Sequence, residues 1–363
     1  MKLTVGQKNF RRALSLIEPI IGKTAALPIL ADVVLKTEGG RLKVAATNLE
    51  IGITCFIGAK TDEVGEIAVP GRILNDVIQS IEEETVVLST KSNTLHITSK
   101  AHKTAILGTD TKEYPIIPKI SAETLFSMGA PALKDLLASV VDAIATSESR
   151  PELSGLLLVA GSGTVTCAAT DSFRLAEKIT KGKVRGSAKV IIPRATAIEV
   201  LRLTADDALD ISVAVGDNQI AFTSQDCQII SRLIDGNYPD YKKVIPEKWA
   251  SKALISRTQL ERNVRLAGLF SSSISDVTVS CEDGTLSVTA RNSDKGEVQA
   301  TTDAVLKNDA FSLALNFHYL LDGLKAITTE KVVVEFTGDG SPLIIRPADD
   351  KNEFTYLIMP LRR

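Results

Sequence analysis

Apolar residues at Phe10, Ala13, Leu14, Ile17 and Ile21 recur at three- and four-residue steps, which predicts an amphipathic helix over 7–21. Lys8, Arg11, Arg12 and Ser15 fall on its opposite side. The pattern then changes to period two in "ADVVLKTEGGRLKVAATN" (31–48), where Gly39-Gly40 marks a hairpin turn between strands. A second helix is expected to start near Pro70, since proline suits a first helical turn. Further strands, such as "TVVLSTKSNTLHITS" (85–99), follow it.

The same succession occurs three times. "LKVAATNLE" (42–50) returns as "VTCAATDSF" (165–173) and, more faintly, as "LSVTARNSD" (286–294), so Ala46, Ala169 and Ala290 stand 123 and 121 residues apart. "IAVPGRILNDVIQSI" (67–81), "VIIPRATAIEVLRLT" (190–204) and "FSLALNFHYLLDGLKAI" (311–327) keep a similar spacing, with Pro70, Pro193 and Leu315 in register. "EYPIIP" (113–118), "NYPDYKKVIP" (237–246) and "TYLIMP" (355–360) close each unit, and helical patterns at 7–21, 131–145 and 257–270 open them. A period of about 120 residues is too long for a solenoid. The reading is an α+β chain of three like domains, 1–121, 122–248 and 249–363. Each has antiparallel sheets and two helices.

Composition limits the function classes. The 363 residues are 44% hydrophobic and 24% charged, enough for ordinary cores and without a disordered signature. No apolar run approaches the roughly 18 residues of a membrane span, and "MKLTVGQKNF" lacks the pattern of a secretion signal. Cys55, Cys167, Cys227 and Cys281 are far apart, in strand patterns, with no C-x-x-C pair. They read as small buried hydrophobes in a reducing cytoplasm. The net charge of −2 excludes a grip on nucleic acid by bulk charge. Basic residues nonetheless collect on helices: beside the 7–21 stripe stand Arg72, Arg194, Arg202 and Lys325, and Arg257, Arg262 and Arg265 with Glu261 among them. The middle opener, with Lys134, Asp135 and Asp142, departs from the trend. Such local asymmetry points to a polyanion partner.

Catalytic chemistry finds no foothold. Gly22-Lys23-Thr24 in "IGKTAALPIL" (21–30) follows a helix rather than preceding one, and Ile17 occupies the place of the first P-loop glycine. Asp171-Ser172 near Arg174 lacks a G-x-S-x-G elbow. His96, His102 and His318 have no companions in a metal set. No catalytic residue, cofactor or metal is expected.

"LPIL" (27–30), "AATDSFRLA" (168–176), "SRLIDGNYPDYKKVIP" (231–246), "SPLIIRP" (341–347) and "YLIMPLRR" (356–363) together resemble the bacterial sliding-clamp family, the beta subunit of DNA polymerase III. The resemblance spans the chain and implies three clamp domains per subunit. Two subunits would close head to tail around duplex DNA, bound without regard to sequence, with helices lining the hole. It implies a non-enzymatic processivity role and a peptide groove shared by the polymerase III alpha subunit, the clamp-loader delta subunit and other clamp-binding proteins. Residue by residue, that groove would use Leu153, Thr170, Arg174, Leu175, Pro239, Lys243, Val244, Tyr319, Pro342, Leu357, Met359, Pro360, Leu361 and Arg362. DNA would be met by Lys23, Thr24, Arg72, Arg150, Arg194 and Arg202, and the homodimer would close through Thr104 and Ile106 against Leu269 and Phe270. Ser172 and Phe173 stand where the family has glycine and histidine. That departure keeps open a clamp paralogue outside replication.

Overall fold

A computed structural model describes all residues except 23–26, 119, 148, 206–207, 339, 350–352 and 362–363. Its helices among the described residues are α1 (Gln7–Ile17), α2 (Gly71–Gln79), α3 (Ala130–Ala138), α4 (Arg194–Leu203), α5 (Arg257–Gly268) and α6 (Phe317–Lys325). The opening helices are shorter than periodicity predicts. α1 stops at Ile17, and Glu18–Ile20 continues as a 3-10 turn around Pro19, which has no N–H for an α ladder. α3 ends at Ala138 and α5 at Gly268, so Leu269 and Phe270 lie beyond the helix. Pro70 and Pro193 are the last residues of the strands Glu66–Pro70 and Ala188–Pro193, not first-turn residues. In the third repeat Leu315 is likewise in a strand, and Asn316 caps α6 by accepting from the His318 N–H at 2.9 Å.

α1 buries Phe10, Ala13, Leu14 and Ile17 and exposes Lys8, Arg11, Arg12 and Ser15, as its pattern requires. The buried Gln7 amide donates to the carbonyls of Ile78 and Ile81, both at 2.8 Å, tying α1 to the end of α2. α6 approaches the sheet so closely that a Cβ at Gly323 would enter the Tyr356 ring.

The chain divides into two compact units, residues 1–133 with 195–233 and residues 134–194 with 234–363. Each holds a 12-stranded sheet, and every pairing is antiparallel. Each unit also contains one joint of the same design. In the first, Ile51–Cys55 of the long strand Ile51–Glu63 pairs with Cys227–Ser231 of the strand Cys227–Arg232. In the second, Arg174–Lys178 pairs with Phe354–Ile358. Both joints link the long strand of one repeat to the closing strand of the next.

The first joint revises the reading of the cysteines. Cys55 and Cys227 are register partners with Cα atoms 4.2 Å apart, and they form a disulfide. Cys167 and Cys281 are free and buried, as expected. The pairing escapes sequence reading because 172 residues separate the two, and only the inter-repeat register brings them together.

Candidate functional site

The turn 170–174 is built by its own side chains. Thr170 Oγ1 donates to the Arg174 carbonyl at 2.6 Å and accepts from the Ser172 N–H at 3.1 Å. Asp171 Oδ1 accepts from the N–H groups of Phe173 (2.9 Å) and Arg174 (3.0 Å). The Thr170 N–H donates to the Tyr238 hydroxyl at 3.1 Å. Ser172 is thereby held at φ 77°, a conformation L-residues seldom adopt. Phe173 projects with 60% of its surface exposed.

Beneath this turn, Leu153, Leu157, Leu175, Leu357, Tyr238 and Tyr241 form one buried cluster. Leu153, Leu175 and Leu357 are therefore brought together, but as floor rather than open sockets, each 3% exposed or less. The apolar surface above is supplied by Phe173, Val244 and Met359. The Met359 N–H donates to the Phe173 carbonyl at 2.8 Å, and the Leu361 N–H donates to the Ala314 carbonyl at 2.8 Å, which fixes the 359–361 tail. Pro342 precedes Leu343, the register partner of Ile358, and so flanks Met359 and Pro360. Pro239 and Lys243 are exposed around the turn Tyr241–Val244, with Lys243 paired to Asp240 at 3.1 Å. Burial raises the pKa of the Tyr238 and Tyr241 phenols, and Glu177 raises that of Tyr241 further, so both stay neutral.

Arg174 is engaged from within the chain. Its Nε donates to Asp171 Oδ2 at 2.9 Å, its Nη1 pairs with Asp322, and its guanidinium lies 4.4 Å from the Tyr319 ring centroid. It is a largely buried clamp between the turn and α6, satisfied from within the chain. Asp171 and Asp322 were not predicted. Asp322 lies 148 residues from Arg174, and only its place one turn after Tyr319 hinted at it. Arg362 lies outside the described residues.

The basic residues separate more sharply. Lys8, Arg11, Arg12 and Ser15 of α1 line one open cleft with Arg202 of α4, and no carboxylate among the described residues pairs with Lys8 or Arg11. Arg202 keeps a Glu199 neighbour at 3.6 Å. Arg72 is exposed but outside that cleft, and Arg150 is exposed beside the turn Pro151–Leu153. Arg194 is half-buried, with its Nε enclosed. Lys23 and Thr24 lie outside the described residues. Three other helical cations are compensated: Lys325 by Asp142 at 2.9 Å, and Arg257 and Arg265 by Glu261 at 2.9 and 2.8 Å. Asp135, which broke the trend, pairs with Lys178 at 2.7 Å.

Among the sheet edges open in the described residues, two belong to the strand types that make the joints, a closing strand and a long strand. The strand Lys103–Leu107 ends its sheet, pairing among the described residues only with Thr94–Thr98. The long strand Gly296–Asn308 pairs over 296–303 on one side and over 304–308 on the other, leaving 296–300 without a partner on that second side among the described residues. Thr104 is half-buried, but Ile106 is 4% exposed and belongs to its own core, since alternate residues of the strand face inward. Leu107, 78% exposed, is the apolar residue that this alternation leaves outside. Leu269 is 65% exposed and Leu266 45%, while Phe270 lies half-buried beside Gly296 at the open edge.

Three family models cover almost the whole chain: the N-terminal, central and C-terminal domains of the DNA polymerase III beta subunit match residues 1–118, 128–240 and 242–362. The chain belongs to that sliding-clamp family. The "Beta sliding clamp" of Staphylococcus aureus is 28% identical over 375 residues, covering 100% of this chain and 99% of the relative. A DNA polymerase sliding clamp from Pseudomonas aeruginosa superposes with a TM-score of 0.94 at 25% identity, each chain covered in full. One from Bacillus subtilis, at 23% identity, superposes at 0.95 over 100% and 99% and shares the fold. The repeated clamp domains explain why one joint recurs within the chain.

Proposed function

We propose that this chain is a replicative sliding clamp: two copies close head to tail around duplex DNA and tether the polymerase III alpha subunit, the clamp-loader delta subunit and other DNA-processing proteins. The repeated joint carries this reading. Two of three equivalent joints are made within the chain, and the open edges at 102–106 and 296–300 are the two halves of the third. Matching the registers of the three repeats sets Thr104 opposite Val298 of the other copy, as Ile229 faces Ile53 and Tyr356 faces Ala176. His102 then faces Ala300, the place held by Cys227 and Cys55 in the first joint. Leu107, Leu269 and Phe270 flank that seam.

In this reading the domains run 1–121, 122–248 and 249–363, and the protein works in the cytoplasm without an active site of its own. A ring holds DNA by topology, so the Lys8, Arg11, Arg12 and Arg202 cleft needs only loose phosphate contacts, and strong ones would slow sliding. The patch of Phe173, Val244 and Met359 over its leucine floor suits a short apolar peptide, with an affinity on the order of 1 μM. Absence of calorimetric heat with such a peptide would remove the docking role.

The decisive experiment pairs His102→Cys with Ala300→Cys. Oxidation should give a covalent dimer only when both substitutions are present, and the cross-linked ring should stay on nicked circular DNA and leave on linearisation. A species that remains at monomer mass in solution, without cross-linking, contradicts the proposal.

A further inference from the structure

Next to the basic cleft, and sharing Arg12 with it, a cavity holds a pair of cysteines. Cys55 and Cys227 lie across the first joint, where Cys55 is 1% exposed and Cys227 is half-buried. Both line a cavity of about 130 Å³ that also contains Asn9, Arg12, Ser224 and Asp226. The backbone around the pair is pinned: the Cys227 N–H donates to Ser224 Oγ at 3.1 Å, Ser224 Oγ donates back to the Cys227 carbonyl at 3.1 Å, and the Phe56 N–H donates to the Asp226 carbonyl at 2.7 Å. The thiols meet without backbone movement.

The joint does not need this pair to form. At the equivalent place in the second joint stand Lys178 and Phe354, and that joint has the same five-residue pairing. Cysteines at this one joint therefore add chemistry to a contact already secured by its ladder. A small chamber that reaches both sulfurs, with Asn9, Arg12, Ser224 and Asp226 among its walls, has room for a small oxidant. Cys167 and Cys281 are buried apart from one another, and burial raises both their pKa values. In a reducing compartment, a disulfide is usually transient and sensing rather than structural.

We infer that Cys55 and Cys227 form an oxidation site for hydrogen peroxide, and that their linkage covalently locks the joint between the first and second repeats. The more accessible Cys227 thiolate attacks one peroxide oxygen and the O–O bond breaks. The leaving hydroxide takes up the proton that Cys227 released on ionising and departs as water, and Cys227 is left as a sulfenic acid. The Cys55 sulfur then attacks the Cys227 sulfur, the S–O bond breaks, and the hydroxide leaves with the Cys55 proton as a second water. Two thiols are oxidised by two electrons and one peroxide is reduced to two waters. A dithiol restores the open state by exchange. The inference is independent of whether the chain encircles DNA.

The test uses the full chain, reduced, freed of reductant, treated with a small excess of hydrogen peroxide, then unfolded and alkylated. Alkylatable thiols should fall from four to two, with one linked peptide pair containing Cys55 and Cys227. In Cys55→Ser, Cys227 should stop at the sulfenic stage and be trapped by a dimedone-type nucleophile. In the native sequence, oxidation should raise the thermal midpoint of the unit 1–133 with 195–233, and in Cys227→Ser leave it unmoved, which keeps the test valid if Cys55→Ser folds poorly. Four thiols remaining after peroxide, a linkage through Cys167 or Cys281, a bond that survives excess dithiol in the folded chain, or an unmoved midpoint would each overturn it.

Discussion

The turn before the first joint and the turn before the second are the same device with different cargo. Thr47 Oγ1 donates to the Ile51 carbonyl at 2.9 Å and accepts from the Leu49 N–H at 3.0 Å, as Thr170 does with Arg174 and Ser172. Asn48 Oδ1 accepts from the N–H groups of Glu50 and Ile51 as Asp171 Oδ1 does from Phe173 and Arg174. Tyr114 accepts from the Thr47 N–H at 3.0 Å where Tyr238 accepts from Thr170, and Leu49 and Ser172 share φ 77°. Yet the first turn ends on a buried Ile51 and the second on the Arg174 clamp. The backbone device positions a side chain, and the identity of that side chain decides whether the joint is only a seam or also a site.

Swapping the cargo gives the largest expected effect. Arg174→Ile copies the first repeat into the second and leaves Asp171 and Asp322 without their cation, costing about 3 kcal/mol. The thermal midpoint of the segments 134–194 and 234–363 should drop by about 6–12 °C, with loss of apolar-peptide binding. A midpoint that holds within error would mean that Arg174 does not clamp.

Removing the shared tyrosine hydroxyls should cost less and differ between the turns. Tyr238→Phe leaves the Thr170 N–H without its acceptor, a loss of about 1 kcal/mol. Tyr114→Phe should cost more, because the Tyr114 hydroxyl also donates to the Asp32 carbonyl at 3.2 Å. Hydrogen exchange read separately over each turn checks both, since a chain of several domains has no single unfolding midpoint. Equal losses, or a larger one at Tyr238, would break the parallel. Relieving the positive φ comes next. Leu49→Gly and Ser172→Gly should each stabilise their turn by about 0.5 kcal/mol, the strain removed being partly offset by the freer unfolded chain.

Much of this was legible in the chain. The alanines 46, 169 and 290 reveal the triplication, and alternation in "ADVVLKTEGGRLKVAATN" marks its strands. Thr47-Asn48 and Thr170-Asp171, each followed by a tyrosine at 114 or 238, spell the turn in residues. What stayed hidden depends on register between repeats. Cys55 with Cys227 and Arg174 with Asp322 are 172 and 148 residues apart, and no local period points from one to the other. Ile106 and Leu107 show a subtler limit: both are apolar, and only the parity of a five-residue strand decides which faces the core.

The smallest effect is a slope rather than a midpoint. Asp32 sits opposite Pro70 in the first repeat, where the second has Gly155 opposite Pro193. A Cβ at Gly155 would meet the Ile192 carbonyl at 2.5 Å, so the second repeat has no room for a carboxylate there. Burial raises the Asp32 pKa above its usual 3.8, against the opposing pull of the Thr109 hydroxyl that donates to it at 2.9 Å. A raised folded value means that the native chain keeps a proton the unfolded chain has released, so folding takes up a proton in that window. The first unit's stability should therefore fall as pH rises above the unfolded value near 3.8, and flatten once pH passes the raised folded value. Asp32→Asn keeps an acceptor for Thr109 and has no proton to lose, so it should remove the slope over 1–133 and leave exchange in 134–194 unchanged. A slope that survives the substitution would assign the pH response to another buried acid, with Glu199, whose pKa burial also raises, the first to examine.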